Sequence, residues 1–191
     1  MQSALMLDLS AGPVHISVEA GIGGTSLCLS LAAAVLESNS RVVWLGRHPL
    51  DSKRTRGIFT GLNESQLERL FVVEFGEDLS TRATALKPLI DRLDESDLVV
   101  IDDWCSASGR AAAADLQAVR SLIKAAVNTR MILTAKAYES PAGGEDVWKS
   151  RGEQLSGVRQ IWLLREEGIR NYRTLVAVSY THLTLPTNRE V

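Results

Sequence analysis

The segment EAGIGGTS, Glu19 to Ser26, follows an apolar run and opens a second one, LCLSLAAAVL. Its glycines and hydroxyls suit one chemistry, the holding of phosphate. The pattern G-x-x-x-x-G-K-[ST] works through backbone N–H groups and a helix N-terminus that face the phosphates, a lysine that reaches the terminal ones, and a hydroxyl that meets magnesium. Set with its hydroxyl on Ser26, the pattern places Gly24 at the second glycine, Thr25 where the lysine belongs and Glu19 where the first glycine belongs. Gly21, Gly23 and Gly24 keep the backbone cradle and Ser26 keeps the magnesium hydroxyl. The lysine charge is missing, and Glu19 adds a carboxylate that repels phosphate unless it is paired or turned away.

A nucleotide loop needs an acidic strand beside it, and LVVIDDW, from Leu98, supplies one ending in Asp102 and Asp103. At the C-terminal edge of a sheet, Asp102 would face magnesium beside the loop. Alone, the first motif is also what a tight turn looks like, and the second what a solvated strand end looks like. Their order and separation together point to a P-loop type of fold with ATP and magnesium as its ligands. Arg47, at the end of another strand, could lend the charge that Thr25 lacks; it reads equally as a solvated surface arginine.

Around these motifs the chain alternates short apolar runs with helical patterns. Strands are expected at Val14–Val18, Arg41–Leu45, Phe71–Phe75, Leu98–Asp102 and Arg130–Thr134, each rich in β-branched residues and almost unbroken in hydrophobicity. Strands buried on both faces have this composition, so the expected fold is α/β, a mostly parallel sheet covered by helices. In ADLQAVRSLIKAAV, Leu116, Val119, Ile123 and Val127 fall on one helical face. A shorter helix is expected at Asn63–Leu70, with Asn63 as cap and Gln66 at the capping-box position, and another near Thr84–Leu93, started or kinked by Pro88. RQIWLL and YRTLVAV, split by REEGIRN, predict an antiparallel hairpin at one edge of the sheet.

Composition narrows the functions. A chain of 191 residues, 45% hydrophobic, can bury one sizeable core, and a net charge of -2 exerts no overall pull on nucleic acid or anionic membrane. No membrane-spanning run or signal peptide is evident, so a cytoplasmic protein is expected. Cys28 and Cys105 stand far apart without a C-x-x-C pattern and predict two buried thiols. Ser179–Val191, SYTHLTLPTNREV, changes character abruptly and resembles translated adapter read-through, so residues 1–178 are expected to form one domain and 179–191 to be foreign to it.

From Pro13 to Val178, in order and pattern rather than identity, the chain resembles the RecA-like ATPases, particularly the small archaeal RadA and RadB branch and the KaiC-type proteins. The resemblance rests on the loop Glu19–Ser26, the strand Leu98–Asp102, the strand RMILTAKAY and the closing segment from Trp148 to Val178. It implies a three-layer RecA-like P-loop core with a C-terminal antiparallel hairpin. It also implies a catalytic glutamate after the second strand, where this chain has Gly46, Arg47 and His48. With lysine and glutamate both gone, hydrolysis is expected to be very slow or absent. Two family loops reach toward DNA. Here they carry Arg110, Lys149 and Arg151 against Glu139, Glu145, Asp146 and Glu153, a weak electrostatic footprint. The expectation is an accessory subunit of recombination or repair that binds nucleotide weakly, touches single-stranded DNA and works with a RecA-family recombinase or a related ATPase subunit. The alternative is a KaiC-like pseudo-ATPase acting as an interaction module without DNA. Trp44, Trp104, Trp148 and Trp162 read first as core or edge packing, with Trp104 and Trp148 alternatively exposed enough to stack on a base or a partner, while His15 and His48 carry no catalytic role.

Overall fold

A computed structural model of the chain describes residues 7–106, 108, 110–140, 148–152, 155–165 and 173–178. The strands are β1 (Val14–Val18), β2 (Val42–Gly46), β3 (Leu70–Glu74), β4 (Leu98–Asp102), β5 (Arg130–Glu139), β6 (Trp148–Ser150), β7 (Arg159–Arg165) and β8 (Arg173–Val178). The sheet order is β3-β2-β4-β5-β1-β7-β8, with β6 added to β5. The six strands from β3 to β7 along that path run parallel, whereas β6 and β8 pair antiparallel. The expected α/β fold with its edge hairpin is therefore present; residues 166–172 of the connecting segment and the segment Ser179–Val191 lie outside the described residues.

The period of two along each strand builds three layers. Val14, Ile16, Val42, Trp44, Leu98, Val100 and Ile132 face one side, where α1 (Gly24–Glu37) contributes Cys28, Leu29, Ala32 and Leu36. Val43, Leu45, Val99, Ile101, Met131 and Leu133 face the other, under α4 (Leu79–Ile90) and α5 (Ala113–Ala125). Both cysteines are buried as free thiols. No helix among the described residues is long and apolar enough to cross a membrane.

Local differences from expectation have local causes. α5 buries Leu116, Val119 and Leu122 but ends at Ala125, so Val127 lies past it at 78% exposure instead of completing the apolar face. Asn63 and Gln66 do form the capping box, but the helix it starts, α3 (Glu64–Leu67), stops early because Leu70 already belongs to β3. α4 begins at an Asp78 cap, before the expected Thr84, and carries Pro88 in its last turn. α2 (Ser52–Ile58) follows β2 and was not foreseen: SKRTRGI buries no residue and has no apolar face to betray it.

Candidate functional site

β1 runs directly into the glycine loop. Gly21 and Gly23 take φ of 77° and 89°, backbone that side chains other than glycine rarely tolerate. The loop leads into the N-terminus of α1, where Gly23 caps without a side-chain hydrogen bond and the first turn holds no acid. An uncapped end of a 14-residue helix carries partial positive charge and free N–H donors.

Thr25, one residue before the expected Ser26, is the hydroxyl that reaches the acidic strand. Its Oγ1 donates to Asp102 Oδ2 at 2.9 Å, while Ser26 contributes only its carbonyl, which accepts from Ser30. Set with its hydroxyl on Thr25 instead of Ser26, the pattern would shift by one residue. Gly23 becomes the second glycine, Gly24 takes the lysine position and Val18 takes that of the first glycine. The last two changes belong together: a β-carbon built on Gly24 would lie 2.7 and 2.8 Å from the two Cγ atoms of Val18. The Val18 isopropyl group fills the space from which a lysine side chain would start.

Asp102 is held from both sides. Thr134 on β5 donates to its Oδ1 at 2.8 Å and in turn accepts the amide of Asp103 at 2.8 Å. Burial raises the Asp102 pKa, opposed by the hydrogen bonds from Thr134 and Thr25 and reinforced by the charge of Asp103. Asp103 adopts a positive φ of 55°, and its Oδ1 is buried with no hydrogen-bond partner. Its Oδ2 lies 3.4 Å from Lys136 Nζ and 3.9 Å from His48 Nε2.

These groups line a cleft of about 380 Å³ walled by Val18–Gly21, Gly23–Thr25, His48–Asp51, Arg54, Asp102, Asp103 and Thr134–Lys136. Glu19 does not spoil it, because its carboxylate accepts the Arg165 amide at 2.7 Å and pairs with the Arg165 guanidinium at 3.7 Å. Arg47 does not serve it. At 4% exposure its guanidinium donates to the carbonyls of Gly76, Asp103 and Trp104 and to Glu77, and stacks over Phe75 at 5.1 Å. A cation with that many fixed acceptors is a clamp between loops, and neither the solvated nor the phosphate-binding expectation describes it. Sequence reasoning missed Arg54, Asp51 and Lys136. Asp51 and Arg54 belong to an unforeseen helix, whose N-terminus Asp51 caps by accepting the Arg54 amide. Lys136 lies beyond Thr134, where the apolar run of its strand ends, though within the segment RMILTAKAY.

The donor set fits magnesium that arrives with phosphates. A hydroxyl (Thr25), a carboxylate bonded to it (Asp102) and a neighbouring carboxylate with an orphaned buried oxygen (Asp103) are hard oxygen ligands, and magnesium is usually held by one or two carboxylates together with phosphate oxygens. The uncapped start of α1 would offer backbone N–H groups to phosphate oxygens. Among the described residues no cluster of three or more His, Cys, Asp or Glu is arranged to hold a metal by itself.

Outside the cleft, Trp104 is fully buried rather than placed to stack on a base. Its Nε1–H donates to His15 Nε2 at 3.1 Å, His15 Nδ1–H to Gln160 Oε1 at 2.8 Å, and Gln160 Nε2 to Ser17 at 2.6 Å. This chain of bonds fixes a neutral tautomer, and burial lowers the His15 pKa to about 4. Of the three basic residues proposed for DNA, Arg110 and Lys149 are exposed, while Arg151 is half-buried with its guanidinium 4.5 Å over the Tyr138 ring. Trp148 is partly buried on β6, opposite Glu139.

No family model matches this sequence, and no curated protein is significantly similar to it. Among solved structures, the chain is similar to a DnaB-like replicative helicase described with its interactions with primase, at a TM-score of 0.53 and 12% identity. The match covers 88% of this chain and 56% of the helicase chain. At that identity the likeness concerns the fold, which is RecA-like, and this chain spans little more than half the length of that neighbour.

Proposed function

We propose that this chain is a RecA-fold subunit that binds a magnesium–nucleoside triphosphate at the loop Glu19–Ser26 and turns it over slowly or not at all. The observation that carries the reading is the Thr25–Asp102 hydrogen bond at 2.9 Å, which joins the loop to the acidic strand at the floor of the cleft. Bound there, magnesium would neutralise phosphate charge and orient the oxygens. The chain's own part is to hold the phosphates on the amides of Gly21 to Thr25, to fix the Thr25 hydroxyl against Asp102, and to keep Glu19 tied to Arg165. Slow turnover follows from the Gly24 position, which carries no charge, and from the segment after β2. There Arg47 is buried and Asp51, the carboxylate that this segment brings to the cleft, is used as a helix cap. Calorimetric titration with magnesium-ATP, alongside a phosphate-release assay, tests both halves. Absence of binding at millimolar ligand overturns the reading; ordinary turnover abolished by Asp51→Asn would identify Asp51 as the acid and overturn slow hydrolysis.

The finer role we propose is that of an accessory to a RecA-family recombinase or a related ATPase subunit, with weak affinity for single-stranded DNA. Exposure of Arg110 and Lys149 supports it, since backbone phosphate contacts need accessible cations. Without DNA binding, the same nucleotide site would serve a KaiC-like interaction module.

A further inference from the structure

We propose that Lys136 supplies the terminal-phosphate charge that the loop lacks; the inference rests on the nucleotide reading above and names a residue within that site. The loop cannot supply the charge itself, because Val18 occupies the space beside Gly24 where a side chain would begin. Arg47 is committed to three carbonyls and Glu77. His48 is 73% exposed, and Arg54 sits on the exposed helix α2. Lys136 differs from these in where its backbone is anchored. In the β1–β5 ladder it is the register partner of Val18, the last strand residue before the loop, so its Cα is fixed beside the phosphate cradle. On its other side the Lys136 carbonyl accepts the Arg151 amide at 2.8 Å, which locks the strand there.

The side chain, in contrast, is 44% exposed, lines the cleft and, among the described residues, is tethered only by Asp103 Oδ2 at 3.4 Å. An ammonium has three donors, so Lys136 can keep Asp103 while giving another N–H to a phosphate oxygen. Lysine acts on phosphate as a point charge, and its approach from the neighbouring strand asks nothing of the loop's own side chains. Val18, Gly24 and Lys136 thus form one exchange: the cation moves from the helix start to the adjacent strand.

Calorimetry on the full chain with magnesium-ATP, magnesium-ADP and AMP tests the assignment. The expected result is that Lys136→Gln weakens magnesium-ATP by at least about tenfold, the size of a charged hydrogen bond, while AMP changes by less than about twofold and Lys136→Arg keeps most of the affinity. Lys124→Gln, on the exposed face of α5, should match the parent. Parent-like ATP affinity in a folded Lys136→Gln overturns the lysine assignment and leaves nucleotide binding standing. Equal loss in folded Lys136→Arg and Lys136→Gln also counts against it, since a structural role and not charge would then be lost. Failure of the parent to bind at millimolar magnesium-ATP overturns both.

Discussion

Val18 and Gly24 compete for one volume: a β-carbon on Gly24 would stand 2.7 Å from Val18 Cγ2. Gly24→Lys alone should therefore destabilise the protein by about 1–3 kcal/mol, the usual cost of overpacking, read as a lower urea midpoint. Val18→Gly with Gly24→Lys should relieve the clash and tighten magnesium-ATP binding about tenfold or more, as one charged hydrogen bond predicts, without bringing ordinary turnover. Equal stability of the single and double variants would show that Val18 yields freely.

Thr25 and Ser26 should behave oppositely. Thr25→Val leaves Asp102 Oδ2 without its donor, costs about 1–3 kcal/mol of stability and weakens magnesium-ATP, whereas Ser26→Ala should change either by little. Thr25→Lys, the restoration that the Ser26-based register would suggest, should behave like Thr25→Val. Thermal melting with and without magnesium-ATP reads both effects, and a larger loss in Ser26→Ala would return the hydroxyl role to Ser26.

Arg47→Met should cost about 1–3 kcal/mol for each acceptor left unsatisfied, because it strands the carbonyls of Gly76, Asp103 and Trp104 that the buried guanidinium now satisfies. Urea unfolding measures it. A shift below about 1 kcal/mol, the scale of an exposed ion pair, would mean that Arg47 is an ordinary surface arginine after all.

His15 makes stability depend on pH in a set direction. Its pKa falls from 6.5 to about 4 on folding through burial, so between those values the unfolded chain binds the extra proton. The contribution is fully present above pH 6.5 and is lost as pH falls through about 4, amounting to about 3 kcal/mol. His15→Gln retains a donor for Gln160 and an acceptor for Trp104 but cannot titrate; its stability should fall less steeply over this range, and identical slopes would refute the assignment.

DNA binding, if the accessory role holds, should be salt-dependent and weak. Engagement of about three phosphates by Arg110, Lys149 and Arg151 predicts a log-log salt slope near -2 for single strands. Fluorescence anisotropy on the parent and on Arg110→Glu with Lys149→Glu decides it; this pair avoids disturbing Arg151 on Tyr138. No binding at low salt, or none of it lost in the variant, would remove DNA.

The contrast between what could be read early and what could not follows the range of the interactions. β1 and β4 keep the expected limits because Val14–Val18 and Leu98–Asp102 are apolar enough to declare a strand buried on both faces. The capping box of Asn63 and Gln66 is local, and so was visible. The loop register was not, since Thr25 and Ser26 are adjacent hydroxyls and only a contact 77 residues away chooses between them. Arg47 was misjudged for the same reason: three carbonyls from distant turns bury it. Lys136 sits in the extension of β5 that pairs with β6, where polar residues interrupt the apolar pattern and the pairing itself defines the strands.

The place of β1 between β5 and β7 also sets a timetable. Both of its neighbours lie more than a hundred residues downstream, as the pairings of Val18 with Lys136 and Leu163 show. A ribosome working at about 5–20 residues per second needs roughly 7–30 s to travel from one to the other. Until the first of these neighbours is made the nascent chain carries an apolar strand and its helix with no ladder to join, and the glycine loop between them can acquire its shape only when the sheet closes around it. Interrupted synthesis should thus yield sticky fragments rather than a partial binding site, and folding should be slow for a chain of this size.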